Sequence, residues 1–188
     1  MSASLVGSEM CIRDRCYSSL FADDNTLSRK GDVRLKATFT SQDANRVIKY
    51  PNGTYQLAET SDYTCTPVVI SRISEMYLVK AEALGKTNGA AALVEYMKKR
   101  YTTAPSEAAI KALSDKEYQT LILDERRREF YAEGMRWQDI KRTNRLELLE
   151  TVDGRTYLMY YPIPQDEIDM AGTVAYPQNP GYAGYTGN

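Results

Sequence analysis

The sequence predicts a mainly α-helical chain with irregular loops and a small hairpin. Three observations lead to that class. Residues 71–84 and 90–101 carry apolar side chains at helical spacing. Residues 116–133 contain no Gly or Pro and are rich in strong helix formers. Residues 16–70, by contrast, are punctuated by turn formers and hold no sustained period. At 188 residues the chain suits a single domain with a workable core.

From the start, residues 1–15 show no basic segment followed by an apolar run, so no signal peptide is read there. No stretch of the chain has the length and apolarity of a membrane span. The run LVGSEMCIRDR is similar to a spurious leader that recurs in gene calls from environmental sequence assemblies. Residues 1–15 are therefore expected to be non-native. Residues 16–70 are expected to be a loop-rich segment with short strands. Turns are expected at Asp23-Asp24-Asn25, Lys30-Gly31-Asp32 and Pro51-Asn52-Gly53. Val47 to Tyr50 suits a short strand before the Asn52-Gly53 turn. Thr64 to Ile70 is β-branched and extended, and Pro67 keeps it from being helical.

Residues 71–188 read as a helical region with an extended C-terminal tail. In 71–84, Ile73, Tyr77, Ala81 and Leu84 fall on one face. Gly85-Lys86-Thr87-Asn88-Gly89 is a tight connection to a second helix, 90–101, whose apolar face is Leu93, Tyr96 and Met97. The two form an antiparallel pair of the tetratricopeptide kind, and one such pair cannot bury its own face. Pro105-Ser106-Glu107 begins a short helix. Ser114-Asp115-Lys116-Glu117 offers a capping box for the long one.

On the long helix, at about 100° per residue, Tyr118, Leu121 and Ile122 share a face. Glu125, Glu129 and Glu133 continue that stripe. A carboxylate on a core-facing line needs a partner, because burying a lone charge costs several kcal/mol. Arg126, Arg128, Arg136 and Arg142 are the local candidates, and the planar Arg fork holds a carboxylate with two hydrogen bonds. Gly134 breaks the helix. A second helix, 136–144, places Trp137 and Ile140 on one side and lets Asp139 pair with Arg142. The expectation is a structural ion-pair network of Glu125, Arg126, Arg128, Glu129, Glu133, Arg136, Asp139 and Arg142. Residues 146–161 are expected to form a hairpin turning at Asp153-Gly154, and 165–168 a helical turn. The tail from Gly172 is expected to lie over the helices as an extended coat, anchored by Gln178 to Tyr182.

The chemistry is narrow. There is no His, so a Ser or Cys nucleophile has no ordinary base and no metal set is complete. The three Cys, at 11, 16 and 65, form no CxxC. No phosphate-cradling Gly loop occurs, and no cofactor is implied. A net charge of −1 favours no nucleic-acid partner. Glu125 and Glu129 lie one helical turn apart, yet arginines would hold both ionised, whereas a glycosidase acid needs a raised pKa. No enzyme is expected. Fifteen Tyr stand against three Phe and one Trp. Tyr suits sugar stacking and wet interfaces, and equally the edges of helical-repeat cores.

Three stretches carry a resemblance. ERRREFYAEGMRWQDIKR, from Glu125, looks like the signature of the SusD/RagB family. RISEMYLVKAEAL, from Arg72, is similar to that family's helix with an AEA element. YYPIPQDEIDM and YPQNPGY, from Tyr160 and Tyr176, resemble its C-terminal part, and Asp32-Val33-Arg34 resembles a D-x-R that precedes its helical part. The resemblance covers about 32–182 and only the C-terminal portion of a full member. It implies a SusD-like helical fold and a non-catalytic glycan- or nutrient-binding lipoprotein on the bacterial outer membrane. The implied partners are an oligosaccharide or other nutrient and a SusC-like TonB-dependent transporter. Any ligand site left in this portion is expected in the loops before the first helix, at Tyr50, Tyr55 and Tyr63. The alternative is a helical-repeat module that binds other proteins.

Overall fold

The computed structural model describes residues 20–39, 70–149, 155–171 and 177–183. It divides into two compact units, Met1–Arg136 and Trp137–Asn188. Among the described residues the chain is mainly helical.

In the first unit, a small hairpin opens the described chain. Asp24 and Arg29 exchange both backbone hydrogen bonds at 2.8 Å. The Asp24 carboxylate closes the turn by accepting from the N–H groups of Thr26 and Leu27. Strand β1 (Lys30–Asp32) then leads into a short helix, α1 (Arg34–Thr38). β1 pairs antiparallel with β2 (Tyr101–Thr103), Asp32 opposite Tyr101.

Helix α2 (Ile73–Lys98) is two helices joined at Gly85, whose φ of 65° and ψ of 176° are not helical. The chain reverses there. Tyr77 donates to the Glu95 carboxylate at 3.0 Å, although eighteen residues of straight helix would span about 27 Å. A Cβ on Gly89 would lie 2.2 Å from the Ala81 carbonyl oxygen, so the arms meet backbone to backbone. The expected antiparallel pair is present.

Its buried face differs from the one the periodicity suggests. Of the expected face Ala81 is buried and Tyr77 partly buried, but Ile73 is 74% exposed and Leu84 is also exposed, while Ser74 and Leu78 face inward. Apolar residues occupy both sides of the first arm, so spacing alone did not select a side. Two contacts select it: Gly89 against Ala81, and the Tyr118 hydroxyl, which donates to the Ala81 carbonyl at 2.8 Å. On the second arm Leu93, Tyr96 and Met97 are buried as the pattern requires.

Helix α3 (Glu107–Lys111) starts at Ser106, whose hydroxyl accepts from the N–H of Ala109. Helix α4 (Asp115–Glu129) starts with the full capping box. The Ser114 hydroxyl accepts from the N–H of Glu117, and the Glu117 carboxylate accepts from that of Ser114. The core of the unit joins Leu78, Leu93, Met97, Ile110, Tyr118, Leu121 and Ile122. A smaller cluster of Leu20, Phe21 and Phe39 packs with Tyr131, its three rings edge to face.

α4 ends at Glu129, four residues before the expected end. Phe130 leaves the helix, buried beneath the guanidiniums of Arg72 and Arg126 at 5.1 and 5.0 Å from its ring centre. Ala132 and Gly134 both take positive φ in the turn that follows. Glu133 is therefore not on the helical stripe.

Helix α5 (Met135–Thr143) begins with the last two residues of the first unit, and within the second unit its Ile140 packs with Leu146 and the partly buried Trp137, Leu148, Leu149, Leu158 and Met159. The hairpin expected at 146–161 is not seen among the described residues. They form two 3-10 turns instead, Leu146–Leu148 and Thr156–Met159. Leu148-Leu149 and Tyr157-Leu158 are adjacent apolar pairs, and a half-buried strand needs alternation. Helix α6 (Gln165–Met170) follows. Segment 177–183 is clasped to 160–163. The buried Gln178 amide accepts from the N–H of Ile163 at 2.7 Å and donates to its carbonyl at 2.8 Å. Asn179 donates to the Tyr161 carbonyl and the Tyr182 hydroxyl to that of Tyr160.

Candidate functional site

The carboxylates of α4 organise the first unit. Glu125 is fully buried, and three guanidiniums and a phenol converge on it. Arg128, one turn along the same helix, donates at 2.9 Å. Arg29 and Arg34 donate from the N-terminal segment at 3.1 and 2.9 Å. The Tyr101 hydroxyl, held by β2, donates at 2.6 Å. Burial alone would raise the Glu125 pKa. Arg34, Arg128, the Tyr101 hydrogen bond and Arg29 outweigh it and hold the carboxyl below its ordinary value.

Glu129 repeats the arrangement one turn later. Arg100 grips it with two bonds, at 2.8 and 2.9 Å, and the Tyr96 hydroxyl donates at 3.0 Å. Burial again opposes ionisation, but chiefly Arg100, with Ser74 and Arg34, brings its pKa down to about 2. Arg34 ties the two sites together. It accepts no proton from either phenol; it donates to both, at 2.7 Å to Tyr96 and 2.5 Å to Tyr101, and it forks onto Asp32. Burial pushes the Tyr96 and Tyr101 hydroxyls up, so they remain protonated donors.

The other predicted residues take separate places. Glu133 accepts from Arg72 at 2.6 Å. Arg126 lies 3.6 Å from the Glu75 carboxylate. Arg136 donates to the Leu123 carbonyl. Asp139 and Arg142 pair at 3.0 Å within the second unit. Sequence reasoning did not assign Arg29, Arg34, Arg72 or Arg100 to these acids. Only Arg34 carried a signal, the Asp32-Val33-Arg34 motif. Tyr50, Tyr55 and Tyr63 lie outside the described residues, as do Cys11, Cys16 and Cys65.

This arrangement does not suit acid–base chemistry, because both carboxyls are driven to the ionised form and enclosed by donors. Among the described residues no cluster of His, Cys, Asp or Glu could hold a metal. No helix among them is long and apolar enough to cross a membrane. A cavity of about 290 Å³ opens beside the network, lined by Val33, Arg34, Ala37, Thr38, Arg100, Arg128 and Glu129.

Comparison with known proteins places these elements. A family model described as the SusD family matches residues 21–155, a span that takes in Arg29, Arg34, Arg100, Glu125 and Glu129. The SusD-like protein P38 of Formosa agariphila is 30% identical over 148 residues. That alignment covers 71% of this chain and 29% of that protein, so the chain spans under a third of the relative's length. No solved structure matches.

Proposed function

Because the chain belongs to the SusD family, whose members bind nutrients, glycans among them, we propose that it serves glycan capture without catalysis. In a protein of its relative's length, it would act at the outer membrane as part of a surface lipoprotein. There it would hand an oligosaccharide or other nutrient to a SusC-like TonB-dependent transporter. The observation that carries the binding reading is the state of the acids. Glu125 and Glu129 are the best-placed carboxylates in the described chain, and arginines hold both ionised. A scaffold built that way supports binding surfaces and offers no proton donor to a glycosidic bond.

Affinity gel electrophoresis of the full-length protein through a panel of neutral and acidic polysaccharides tests this reading. Retardation by at least one glycan, without release of reducing ends, is the expected result. Reducing ends that appear and vanish in Glu125→Gln would overturn it. The proposed ligand residues Tyr50, Tyr55 and Tyr63 are tested together: a triple Tyr→Ala variant should lose most of the retardation, and full retention would move the site elsewhere.

One observation favours a second reading, a helical module that binds proteins. Ile70, Ile73, Met76, Val79 and Leu84 are exposed on and just before the first arm of α2, an apolar stripe suited to another helix. Co-purification of a stoichiometric protein partner, with no glycan retarding the chain, would favour it.

A further inference from the structure

The buried network beside the 290 Å³ cavity does not use every donor it gathers. Among the described residues its ion pairs join the guanidiniums of Arg29, Arg34, Arg100 and Arg128 to the carboxylates of Asp32, Glu125 and Glu129, and Asp24 attracts Arg29 through space. A guanidinium presents five N–H donors, and those left over in a largely buried cluster favour an acceptor nearby.

The hydrogen bonds show which donors are left over. Arg100 uses Nε and Nη2 on Glu129. Arg128 uses Nε on the Leu20 carbonyl and Nη1 on Glu125. Among the described residues the Arg100 Nη1 and Arg128 Nη2 groups donate to no acceptor. Both residues line the cavity, with Arg34 and the buried Thr38. Arg128 is 5% exposed, so its fork is fixed by burial before any ligand arrives. Preorganised guanidinium donors match the oxygens of a carboxylate or sulfate. The volume lies at the lower end for small-molecule sites, which suits one acidic sugar residue and not a long glycan segment.

We propose that this cavity binds the acidic group of an anionic sugar, a uronate carboxylate or a sulfate ester, through Arg100 and Arg128. The inference rests on the glycan-capture reading for the source of the anion and names its chemical class. Val33 and Ala37 supply an apolar wall for the ring carbons, and Thr38 is a further polar residue of the lining.

The test is scanning calorimetry of the protein in sodium glucuronate, sodium sulfate, sodium chloride and glucose, with the three salts at equal ionic strength. Glucuronate and sulfate should raise Tm by a few degrees above chloride, and glucose should not. Arg100→Gln should abolish the rise, but it also takes the bidentate partner from Glu129 and so disturbs the fold. Ala37→Glu avoids that problem, since it leaves every ion pair in place and supplies a tethered carboxylate. It should raise Tm in plain buffer and remove the response to glucuronate. Equal shifts in all three salts would mean screening only and would overturn the proposal. A response to sulfate alone that Ala37→Glu removes would assign the site to a sulfate ester, whereas one that persists in Ala37→Glu is the general stabilising effect of that salt and would overturn the proposal. An undiminished response to glucuronate in Ala37→Glu would place binding elsewhere and overturn it too. Retardation by neutral glycans with no anion effect would sink this inference and leave glycan capture standing. An anion effect with no glycan retarded would do the reverse.

Discussion

Two regions of this molecule hold distant pieces of chain by opposite means. In the first unit, Glu125 and Glu129 gather Arg29, Arg34 and Arg100 from up to 96 residues away into a nearly dry cluster. In the second, Gln178 and Asn179 clasp a neighbouring stretch with neutral side-chain amides, close to solvent. The first device is cooperative, since each carboxylate answers several cations and Arg34 bridges both sites. Removing one member strands the rest. The second is local, a substitute for two rungs of a β-ladder. Charge provides long reach and all-or-none behaviour, and amides provide attachment that can let go alone.

The sharpest way to break that contrast is Glu125→Gln. It leaves three guanidiniums around a neutral amide, and we expect a loss of about 3–5 kcal/mol in urea unfolding, shared by the whole first unit. A loss under about 1 kcal/mol would mean that the cluster relaxes and the contrast fails.

Acid is the next probe. The folded Glu129 pKa, about 2, lies below its ordinary 4.5. Its contribution is therefore complete above pH 4.5 and is lost as pH falls from there towards 2. That shift corresponds to about 3 kcal/mol. Unfolding free energy followed against pH should fall across this window, and Arg100→Gln should flatten the fall. The clasp, with no ionisable member among its amides, should contribute nothing to the slope.

Gln178→Ala should cost about 1–2 kcal/mol locally, from three modest hydrogen bonds. Amide exchange at Ile163 and Asn179 should quicken while the first unit is unaffected. Spread of the quickening into α4 would show that the clasp is not local. The smallest effect is expected at the exposed stripe. Ile73→Ser with Met76→Ser should change stability by about 0.5 kcal/mol or less, yet should release any protein partner that co-purifies through that stripe. A large loss of stability would mean that these side chains are covered.

How much of this was legible in the sequence follows the same division. Features closed within a few residues were readable: the Ser114–Glu117 box, the short helix beginning at 105–107, the pairing of Asp139 with Arg142, and the reversal at 85–89. Helical spacing also placed Glu125 and Glu129 on the inward line. It named only arginines near in sequence, and of those only Arg128 reaches Glu125. The rest of the cluster arrives through tertiary structure, which no local period encodes. The end of α4 was misjudged for the same reason. Phe130 leaves the helix to lie beneath Arg72, 58 positions earlier in the chain, and 130–133 contain no residue that advertises a stop. The hairpin at 146–161 was read from a turn signal without the alternation a strand requires. The cavity was invisible because it depends on which guanidinium nitrogens remain after the acids are served.

Gly85 and Gly89 sit four positions apart and lack a side chain for unrelated reasons. At Gly85 there is open space around the absent Cβ, and the φ of 65° is what excludes ordinary residues. At Gly89 there is no room at all. Handedness separates the two. A mirror-image alanine introduced at 85 by chemical synthesis would accept that torsion and stiffen the reversal. At 89, L-alanine would force the two arms apart. The first glycine is thus a matter of chirality, the second of thickness, and the closeness of the helix pair is set by one methyl group the chain does without.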